Sequence, residues 1–272
     1  MSKPNGTIDV REAFGLRSIP FTREIVTRWG AAIFDEVLSD LRTVVDNRMS
    51  AALIAAAGTG KTALLRALAS DLPEARYRVH YVKVTSLSKR DFCREVAATM
   101  GLEPVGTYPN LVRKLQDKVE DTAFHEGVRP VLLVDEAHDM RPDVLAILRI
   151  LTNFQMDSKL VLSVVLSGQP PLAQMLACDE LVAVRQRIAH CATLRCLSRE
   201  ESRSYVEHRM AEAGARSLPF DDLALDAIYE ISRGNLRAID HLARKALEIA
   251  AKKGISTVDA AVITAARAQL PS

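Results

Sequence analysis

The stretch Ala55-Ala-Ala-Gly58-Thr59-Gly60-Lys61-Thr62 decides the fold. An apolar run typical of a buried strand, residues 51–55, precedes it, and a helical pattern begins at Lys61. A strand, a glycine-containing turn and a helix start in this order form a phosphate loop, in which backbone N–H groups and the helix dipole bind phosphate. We therefore predict a nucleotide site, with Lys61 as a point charge on the phosphates and the hydroxyl of Thr62 as a Mg²⁺ ligand.

The predicted nucleotide-binding residues are those of the turn and of the first helical turn: Ala57, Gly58, Thr59, Gly60, Lys61, Thr62 and Ala63. The usual phosphate loop opens with glycine, whereas this chain has Ala55 at that position. Because a Cβ there crowds the mouth of the loop, we expect weaker nucleotide binding than in a standard loop. The alternative is a relic that binds no nucleotide, and Gly-x-Gly-Lys-Thr between a strand and a helix argues against it.

An acidic pair, Asp135-Glu136, ends the apolar run of residues 131–134. An Asp at the end of such a strand can hold Mg²⁺, and an adjacent Glu can polarise an attacking water. We therefore assign Asp135 to the metal together with Thr62, and Glu136 to the role of general base; an acidic helix cap is the alternative. The tetrapeptide Asp135-Glu-Ala-His138 also occurs in helicases, but this sequence lacks the second core domain and the arginine-rich motif of that class. We expect His138 to be a polar neighbour of the γ-phosphate or a packing residue.

Strand and helix patterns alternate through residue 196. Apolar runs predict strands over residues 51–55, 79–84, 131–134 and 160–166. Helical periodicity predicts helices over residues 31–47, 61–70, 89–100, 110–125 and 142–155. Strands that read as continuous apolar runs and alternate with helices indicate an α/β fold, with a parallel sheet between helices in three layers, α/β/α.

The pattern becomes helical after residue 196. Ser198-Arg-Glu-Glu201 reads as a capping box that opens a helix to about residue 213. Further helices are expected over residues 221–232, 235–252 and 256–268, the last capped by Ser256 or Thr257. The sequence thus predicts three parts: an N-terminal extension packed on the core (1–30), the α/β domain (31–196) and a small all-helical lid domain (197–272).

Composition limits the function classes. The net charge is +2, from 36 Lys and Arg against 34 Asp and Glu, which excludes a polycation but leaves room for a local basic patch. The longest apolar runs fall far short of a membrane span, and no apolar segment follows the polar N-terminus. Four scattered cysteines predict free thiols. We expect a cytoplasmic protein with no membrane partner.

Three further positions are expected to sense or complete the nucleotide site. A polar group after the strand that ends near Leu166 can touch the γ-phosphate or the attacking water, and we prefer Gln169 to Ser167. Arg187, in preference to Arg185, is the predicted arginine finger acting on a neighbouring subunit, with solvated surface charge as the alternative. Arg237, at the start of a helix of the lid domain, is predicted to reach the γ-phosphate.

The chain resembles the AAA+ ATPases, and among them the ExeA type. The resemblance runs from about Phe14 to Ala250 and rests on these segments: Phe14-Gly-Leu-Arg-Ser-Ile-Pro-Phe-Thr-Arg-Glu-Ile25, Gly58-Thr-Gly-Lys-Thr62, Asp135-Glu-Ala-His138, Leu148-Arg-Ile-Leu-Thr-Asn-Phe154, Ser167-Gly-Gln-Pro-Pro-Leu172, Arg185-Gln-Arg-Ile188 and Gly234-Asn-Leu-Arg237. Two positions depart from the family pattern: Ala55, and Gly-Asn-Leu-Arg in place of the more usual Gly-Ile-Pro-Arg.

The resemblance implies an ATP- and Mg²⁺-dependent ATPase. Secretion-type members continue into a membrane segment and a cell-wall-binding domain, and this sequence has neither before Ser272. Transposon-encoded members similar to TniB, TnsC and MuB are short, so the resemblance implies a homo-oligomer, a ring or a helical filament, on double-stranded DNA. It would recruit or activate a transposase, with a target-selection protein as a further partner. An ExeA-like secretion ATPase acting on a protein is the alternative; a non-catalytic nucleotide switch is a third, against which Glu136 argues.

Loops after the second strand are the predicted DNA contacts. They carry the basic and hydroxyl residues Lys83, Lys89, Arg90 and Thr107. Such residues position a duplex through its phosphates, so binding is expected to be indifferent to sequence and sensitive to salt. The alternative is that Ser88 caps a helix and that Lys89 and Arg90 are solvated charges of its first turn.

Overall fold

The computed structural model describes residues 9–22, 29–154 and 159–271. The chain divides into two compact units. The sheet unit is Ala32–Arg195, and the helical unit consists of the described parts of Met1–Ala31 and Cys196–Ser272. These divisions fall one residue from the predicted domain boundaries. No helix in the described ranges has the length and apolar character needed to cross a membrane.

Parallel strands and helices alternate in the sheet unit. The strands are β1 (Ser50–Ala55), β2 (Tyr77–Lys83), β3 (Arg129–Asp135), β4 (Ser163–Gly168) and β5 (Ile188–Leu194). The helices, in chain order over both units, are α1 (Val10–Phe14), α2 (Ala32–Asp46), α3 (Lys61–Asp71), α4 (Lys89–Thr99), α5 (Tyr108–Phe124), α6 (Pro142–Leu145), α7 (Ile147–Leu151), α8 (Pro171–Ala177), α9 (Val182–Arg185), α10 (Arg199–Glu212), α11 (Asp222–Ser232), α12 (Leu236–Lys253) and α13 (Ala260–Ala268). Short 3₁₀ turns lie at Ala137–Asp139 and Asp179–Leu181.

The strand order is β2-β3-β4-β1-β5, and every pairing is parallel. All six residues of β1 and of β4 are buried, as expected for central strands covered on both faces. The predicted α/β fold is therefore confirmed. Since β1 and β3 run in the same direction, the phosphate loop after β1 and the acidic pair at the end of β3 meet at the C-terminal end of the sheet.

Strand β5 was not predicted. Its burial alternates along the chain instead of forming a continuous apolar run. It pairs only with β1 and therefore forms an edge of the described sheet. Strand β2, at the other edge, also has an alternating burial pattern and was predicted. The apolar signal of β5 is weaker because Ala, His, Cys and Thr lie between Ile188 and Leu194.

Two helix predictions need correction. The single helix expected over residues 142–155 is instead two short helices, α6 and α7, which meet at Ala146. The last helix begins at Ala260 and is capped by Asp259, whose side chain accepts from Val262 N, rather than by Ser256 or Thr257. The capping box of Ser198 and Glu201 at the start of α10 is present as predicted.

The described residues of the N-terminal extension contact the helical unit, to which the extension belongs. Arg17 N donates to the carbonyl of Ala213, and the ring of Phe21 packs edge-on against Phe220 at 6.3 Å. Phe21 is buried, so this aromatic contact helps to hold the extension within its unit. Packing of the extension on the α/β core stays a prediction.

Candidate nucleotide site

The phosphate loop is a turn whose glycines take left-handed backbone conformations. The φ angles are 79° at Gly58 and 101° at Gly60, which side chains with a Cβ rarely adopt. Ala55 is the last residue of β1, and it is absent from the residues with positive φ. Alanine is therefore compatible with the backbone at the position where the usual loop has glycine.

The amine of Lys61 points back into the loop. Lys61 is the first residue of α3 and is 6% exposed. Its Nζ donates to the carbonyls of Ala55 and Ala56, both at 3.0 Å. A buried ammonium gains further stabilisation when an anion comes within reach. The loop therefore fits a phosphate group.

Asp135 is the centre of the site. The carboxylate is fully buried at the end of β3 and accepts four hydrogen bonds. The donors are Thr62 Oγ1 at 2.7 Å, Tyr81 Oη at 3.2 Å, Ser167 Oγ at 3.0 Å and the backbone N–H of Glu136 at 2.9 Å. We call Thr62, Tyr81, Asp135 and Ser167 the Asp135 cluster. It joins the phosphate loop to strands β2, β3 and β4.

Tyr81 belongs to this cluster although the sequence analysis did not single it out. Partial burial, and then the negative charge of Asp135, raise the pKa of the Tyr81 phenol to about 12. The phenol consequently stays protonated at neutral pH and remains a donor. The sequence signal was its place near the end of a strand that adjoins the strand of the acidic pair, the reasoning that we applied to Ser167 and Gln169.

The donor set fits Mg²⁺ as well as a nucleotide. The hydroxyl of Thr62 and the carboxylate of Asp135 are oxygen ligands, the kind that this ion prefers. They already lie 2.7 Å apart, at the N-terminal turn of α3. Residues 57–60 lead into that turn and residues 61–63 form its start. They are the residues predicted to bind the phosphates.

Glu136 has an unusual backbone. Its φ of 57° and ψ of 34° lie in the left-handed region, which is rare for a residue with a long side chain. The 3₁₀ turn that follows brings His138 close to Glu136, with 3.6 Å between His138 Nδ1 and Glu136 Oε2. Strained backbone of this kind is often found at functional sites.

The two sensor candidates occupy different places. Ser167, our second choice, donates to Asp135. Gln169, our first choice, contacts His138 instead, with 2.6 Å between the amide Nε2 and the ring Nε2. The sequence did not show that the two side chains have different partners, because Ser167 lies near the end of β4 and Gln169 directly follows that strand.

The two finger candidates lie between α9 and β5. Arg187 Nη1 donates to the carbonyl of Ala183 at 2.9 Å, and Arg185 Nη1 donates to that of Ala177 at 3.1 Å. Arg187 directly precedes Ile188, which pairs with Ser50 at the start of β1. Arg187 therefore lies at the N-terminal end of the parallel strands, and the phosphate loop lies at their C-terminal end. A strand of this length spans roughly 17 Å.

The other predicted residues lie on other elements. Arg237 is in the first turn of α12 in the helical unit. Lys89 Nζ lies 3.6 Å from Asp143 Oδ2, and Arg90 Nε donates to Gly106 O at 3.1 Å. Ser88 caps α4, as the alternative to a DNA contact supposed. Lys83 is exposed at the end of β2, and Thr107 takes the N-cap position of α5 without a capping bond from its side chain.

The fold and the site together define a P-loop domain of the AAA type. Residues 43–176 match the family described as AAA domain. General secretion pathway protein A of Aeromonas hydrophila is 36% identical over 200 residues, which are 72% of this chain and 36% of that protein. The predicted ExeA-type resemblance is thereby confirmed. The matched part spans only about a third of that relative's length.

Several solved structures share this fold, and two of them are described with DNA or a Holliday junction. Cdc6p from Pyrobaculum aerophilum aligns with a TM-score of 0.70 and 18% identity, over 88% of this chain and 67% of that one. The Aeropyrum pernix ORC1 protein, solved in complex with DNA, gives 0.69 and 17%, over 92% and 68%. The Thermotoga maritima RuvB Holliday junction branch migration motor gives 0.60 and 19%, over 88% and 69%. At these identities the likeness establishes the fold.

Proposed function

We propose that the protein binds ATP with Mg²⁺ and hydrolyses it, and that this cycle controls a DNA-bound assembly serving transposition. The observation that carries the first part is the 2.7 Å hydrogen bond between Thr62 Oγ1 and Asp135 Oδ2, because it joins the phosphate loop to the acidic pair. When bound, Mg²⁺ neutralises charge that develops on the phosphates during phosphoryl transfer.

The residues divide the work. Lys61 and the N–H groups of residues 57–63 bind the phosphates, while Thr62 and Asp135 hold the metal. Glu136, the next residue after a metal ligand, accepts a proton from the attacking water. Ser167 and Gln169 stay proposed sensors, the first through Asp135 and the second through His138. Arg237 is the proposed sensor from the helical unit.

The division of work is tested by two variants. Lys61→Ala should abolish binding of a fluorescent ATP analogue, because the loop loses its cation. Glu136→Gln should bind with unchanged affinity and release no phosphate, because an amide cannot accept the proton. Normal turnover in Glu136→Gln would contradict the assignment. Magnesium removal by a chelator should stop turnover in the unaltered protein.

Assembly supplies the arginine finger in trans. Arg187 lies at the end of the strands opposite to the loop of its own subunit, which supports a role on a neighbouring subunit in a ring or helical filament. Mixing Arg187→Ala with Lys61→Ala protein should restore some hydrolysis, because some interfaces then pair an intact loop with an intact finger. A mixture of Arg185→Ala with Lys61→Ala protein is the matched comparison. If the mixture with Arg187→Ala shows no recovery at any ratio, Arg187 is not a finger acting in trans.

Double-stranded DNA is the proposed partner of the assembled form. Arg90 Nε donates to the carbonyl of Gly106, so the start of α4, with Lys89, is held near the loop that carries Thr107. The ion pair of Lys89 with Asp143 is exposed, and such pairs are weak enough to exchange for a phosphate. The names of ORC1, solved with DNA, and of the RuvB motor favour a DNA partner, and the short transposon-encoded ATPases favour a transposase as the protein it recruits.

The DNA surface is tested by anisotropy on a random duplex over a salt series. A Lys89→Ala/Arg90→Ala protein should bind more weakly on every sequence, with a salt slope that is shallower by roughly 0.9 per lost contact. Arg94→Ala is the matched control, because Arg94 Nε also donates to a loop carbonyl, that of Pro104, at 3.1 Å. Binding that is equal with ATP and ADP would contradict the coupling.

A secretion-type ATPase acting on a protein partner is the second candidate. The 36% identity to General secretion pathway protein A favours it. Under this alternative Lys61 and Glu136 keep their roles, while DNA neither binds nor changes the rate of phosphate release. The DNA titration therefore separates the two candidates without altering the first test.

A further inference from the structure

His138 lies between Glu136, the proposed general base, and the side-chain amide of Gln169, which follows β4. Its ring is 11% exposed. The Nε2 atom is 2.6 Å from Gln169 Nε2 and 3.7 Å from Asp139 Oδ1. The Nδ1 atom is 3.6 Å from Glu136 Oε2 and is buried without a hydrogen-bond partner among the described residues. The imidazole therefore contacts two side chains of the site through its two different nitrogens.

The chemistry of these groups selects one form of the ring. An amide Nε2 can only donate, so the ring Nε2 that faces it must be the bare acceptor. A neutral imidazole then carries its proton on Nδ1, which faces the Glu136 carboxylate. The flipped amide would require a proton on Nε2 and would turn a bare Nδ1 towards that carboxylate, and two acceptors facing each other repel. Asp139 Oδ1 lies 3.7 Å from the bare Nε2, but the Asp139 side chain is 49% exposed and water screens its charge more than that of Glu136, which is 27% exposed. The negative charge of Glu136 therefore favours the amide orientation in the structure.

We propose that His138 is a positioning residue for Glu136, with its tautomer set by Gln169. The Nδ1–H, 3.6 Å from Glu136 Oε2, attracts this carboxylate electrostatically and thereby orients it towards the water it activates. This assignment rests on the proposed hydrolysis and deepens it, because it explains how Gln169 acts at a distance from the Asp135 cluster.

The glycine at position 168 allows the contact between Gln169 and His138. A Cβ at Gly168, the residue before Gln169, would lie 3.2 Å from His138 N and 2.7 Å from Leu172 Cδ2. Any side chain at this position crowds the 3₁₀ turn against the end of β4. Glycine at position 168 thus permits the close approach that brings Gln169 onto the ring of His138.

The first test measures the ring itself and needs no nucleotide. Long-range ¹H–¹⁵N spectra of histidine-labelled protein at pH 8 distinguish the two tautomers, and the His138 signals are those lost in His138→Asn. We expect a proton on Nδ1 and none on Nε2. In Gln169→Met, which removes the donor, the population should shift towards the Nε2-protonated form. A wild-type ring that carries a proton on Nε2 would overturn the proposal.

The second test separates positioning from binding. His138→Leu should lower kcat by about 10- to 100-fold, the loss typical of a misplaced catalytic group, with little change in KM or in affinity for a fluorescent ATP analogue. His138→Asn keeps an N–H donor near the Nδ1 position and should recover most of that loss. His125→Asn, at a side chain that is 80% exposed, is the matched control and should leave kcat unchanged.

The two proposals fail in distinguishable ways. If the unaltered protein shows no Lys61-dependent hydrolysis, the proposed function fails, while the tautomer measurement still reports on the His138 contacts. If hydrolysis is normal and kcat is the same in His138→Leu, the positioning role is overturned and the function stands. Equal kcat in His138→Leu and His138→Asn would show that the ring is only packing, and would also overturn it.

Discussion

Two buried polar clusters among the described residues, one from each unit, can be compared. The Asp135 cluster lies in the sheet unit. The second, which we call the Arg209 cluster, lies in the helical unit and consists of Tyr205, Arg209, Glu212 and Asp240. Both contain a buried charge with several partners. Only the first touches a loop with the features of a binding site, and the comparison shows what separates a site from a structural support.

The Arg209 cluster connects distant parts of the chain within its unit. Arg209 is 4% exposed; its Nη2 donates to the carbonyl of Thr22 at 2.8 Å, and its Nη1 donates to Tyr205 Oη at 3.0 Å. Tyr205 Oη in turn donates to Asp240 Oδ1 at 2.8 Å. Arg209 Nε lies 3.3 Å from Glu212 Oε2. Its partners come from the N-terminal segment, α10 and α12, so the cluster ties these elements together.

The Asp135 cluster differs in the chemistry of its donors. Three hydroxyls and one backbone N–H surround a single carboxylate, and no cation is among these four donors. A hydroxyl can turn its lone pairs to a metal ion, whereas a guanidinium has none to offer. The comparison teaches that the kind of donor, rather than burial, distinguishes a binding cluster from a support.

The comparison predicts its largest effect at Arg209. Arg209→Met should lower the free energy of unfolding of the helical unit by about 3–5 kcal/mol, because the carboxylate of Glu212 and the carbonyl of Thr22 lose their buried cation. Trp29, the single Trp of the chain, lies 5.2 Å from the ring of Tyr205, so its fluorescence in a denaturant titration reports on this cluster.

The control for this prediction lies on the same helix. Arg203 Nη1 is 2.7 Å from Asp222 Oδ1 in an exposed ion pair. Arg203→Met should cost less than about 1 kcal/mol. Equal losses in the two variants would break the comparison, because they would show that burial of the cation contributes nothing.

A smaller effect is expected in the Asp135 cluster. Ser167→Ala should lower the free energy of unfolding by about 1–3 kcal/mol, because a fully buried carboxylate loses one donor. Tyr81→Phe should cost less, since Tyr81 is 42% exposed and water can replace its hydroxyl. Denaturant titration followed by far-ultraviolet circular dichroism measures both. A larger loss in Tyr81→Phe would contradict this order.

The sequence predicted the part of the site that consists of local motifs. The phosphate loop, Lys61, Thr62 and the acidic pair are contiguous, and their order between strands and helices determines where they meet. The strands β1 to β4 were found from apolar runs. These features depend on residues that are neighbours in the chain.

The parts that were missed depend on contacts between distant residues. Tyr81 reaches Asp135 only because β2 pairs with β3, and Gln169 meets His138 only because Gly168 permits the approach. The Arg209 cluster has no local signature, since one Arg in an amphipathic helix reads as an exposed charge. Strand β5 lacks a continuous apolar run. None of these contacts follows from periodicity or spacing.

The last and smallest effect concerns Asp240. Burial raises the pKa of its carboxyl above the ordinary value of 3.8. Between that value and the raised one, the folded chain keeps a proton that the unfolded chain has released, so the contribution of Asp240 to stability is lost as the pH rises through this window. Asp240→Asn cannot titrate. The free energy of unfolding of the unaltered protein minus that of Asp240→Asn should therefore fall as the pH rises above the ordinary value of 3.8, as followed by Trp29 fluorescence in urea. A difference that grows with pH would mean that Arg209 stabilises the charged carboxylate more than burial destabilises it, and Asp240 would then resemble Asp135, whose carboxylate is held by its donors.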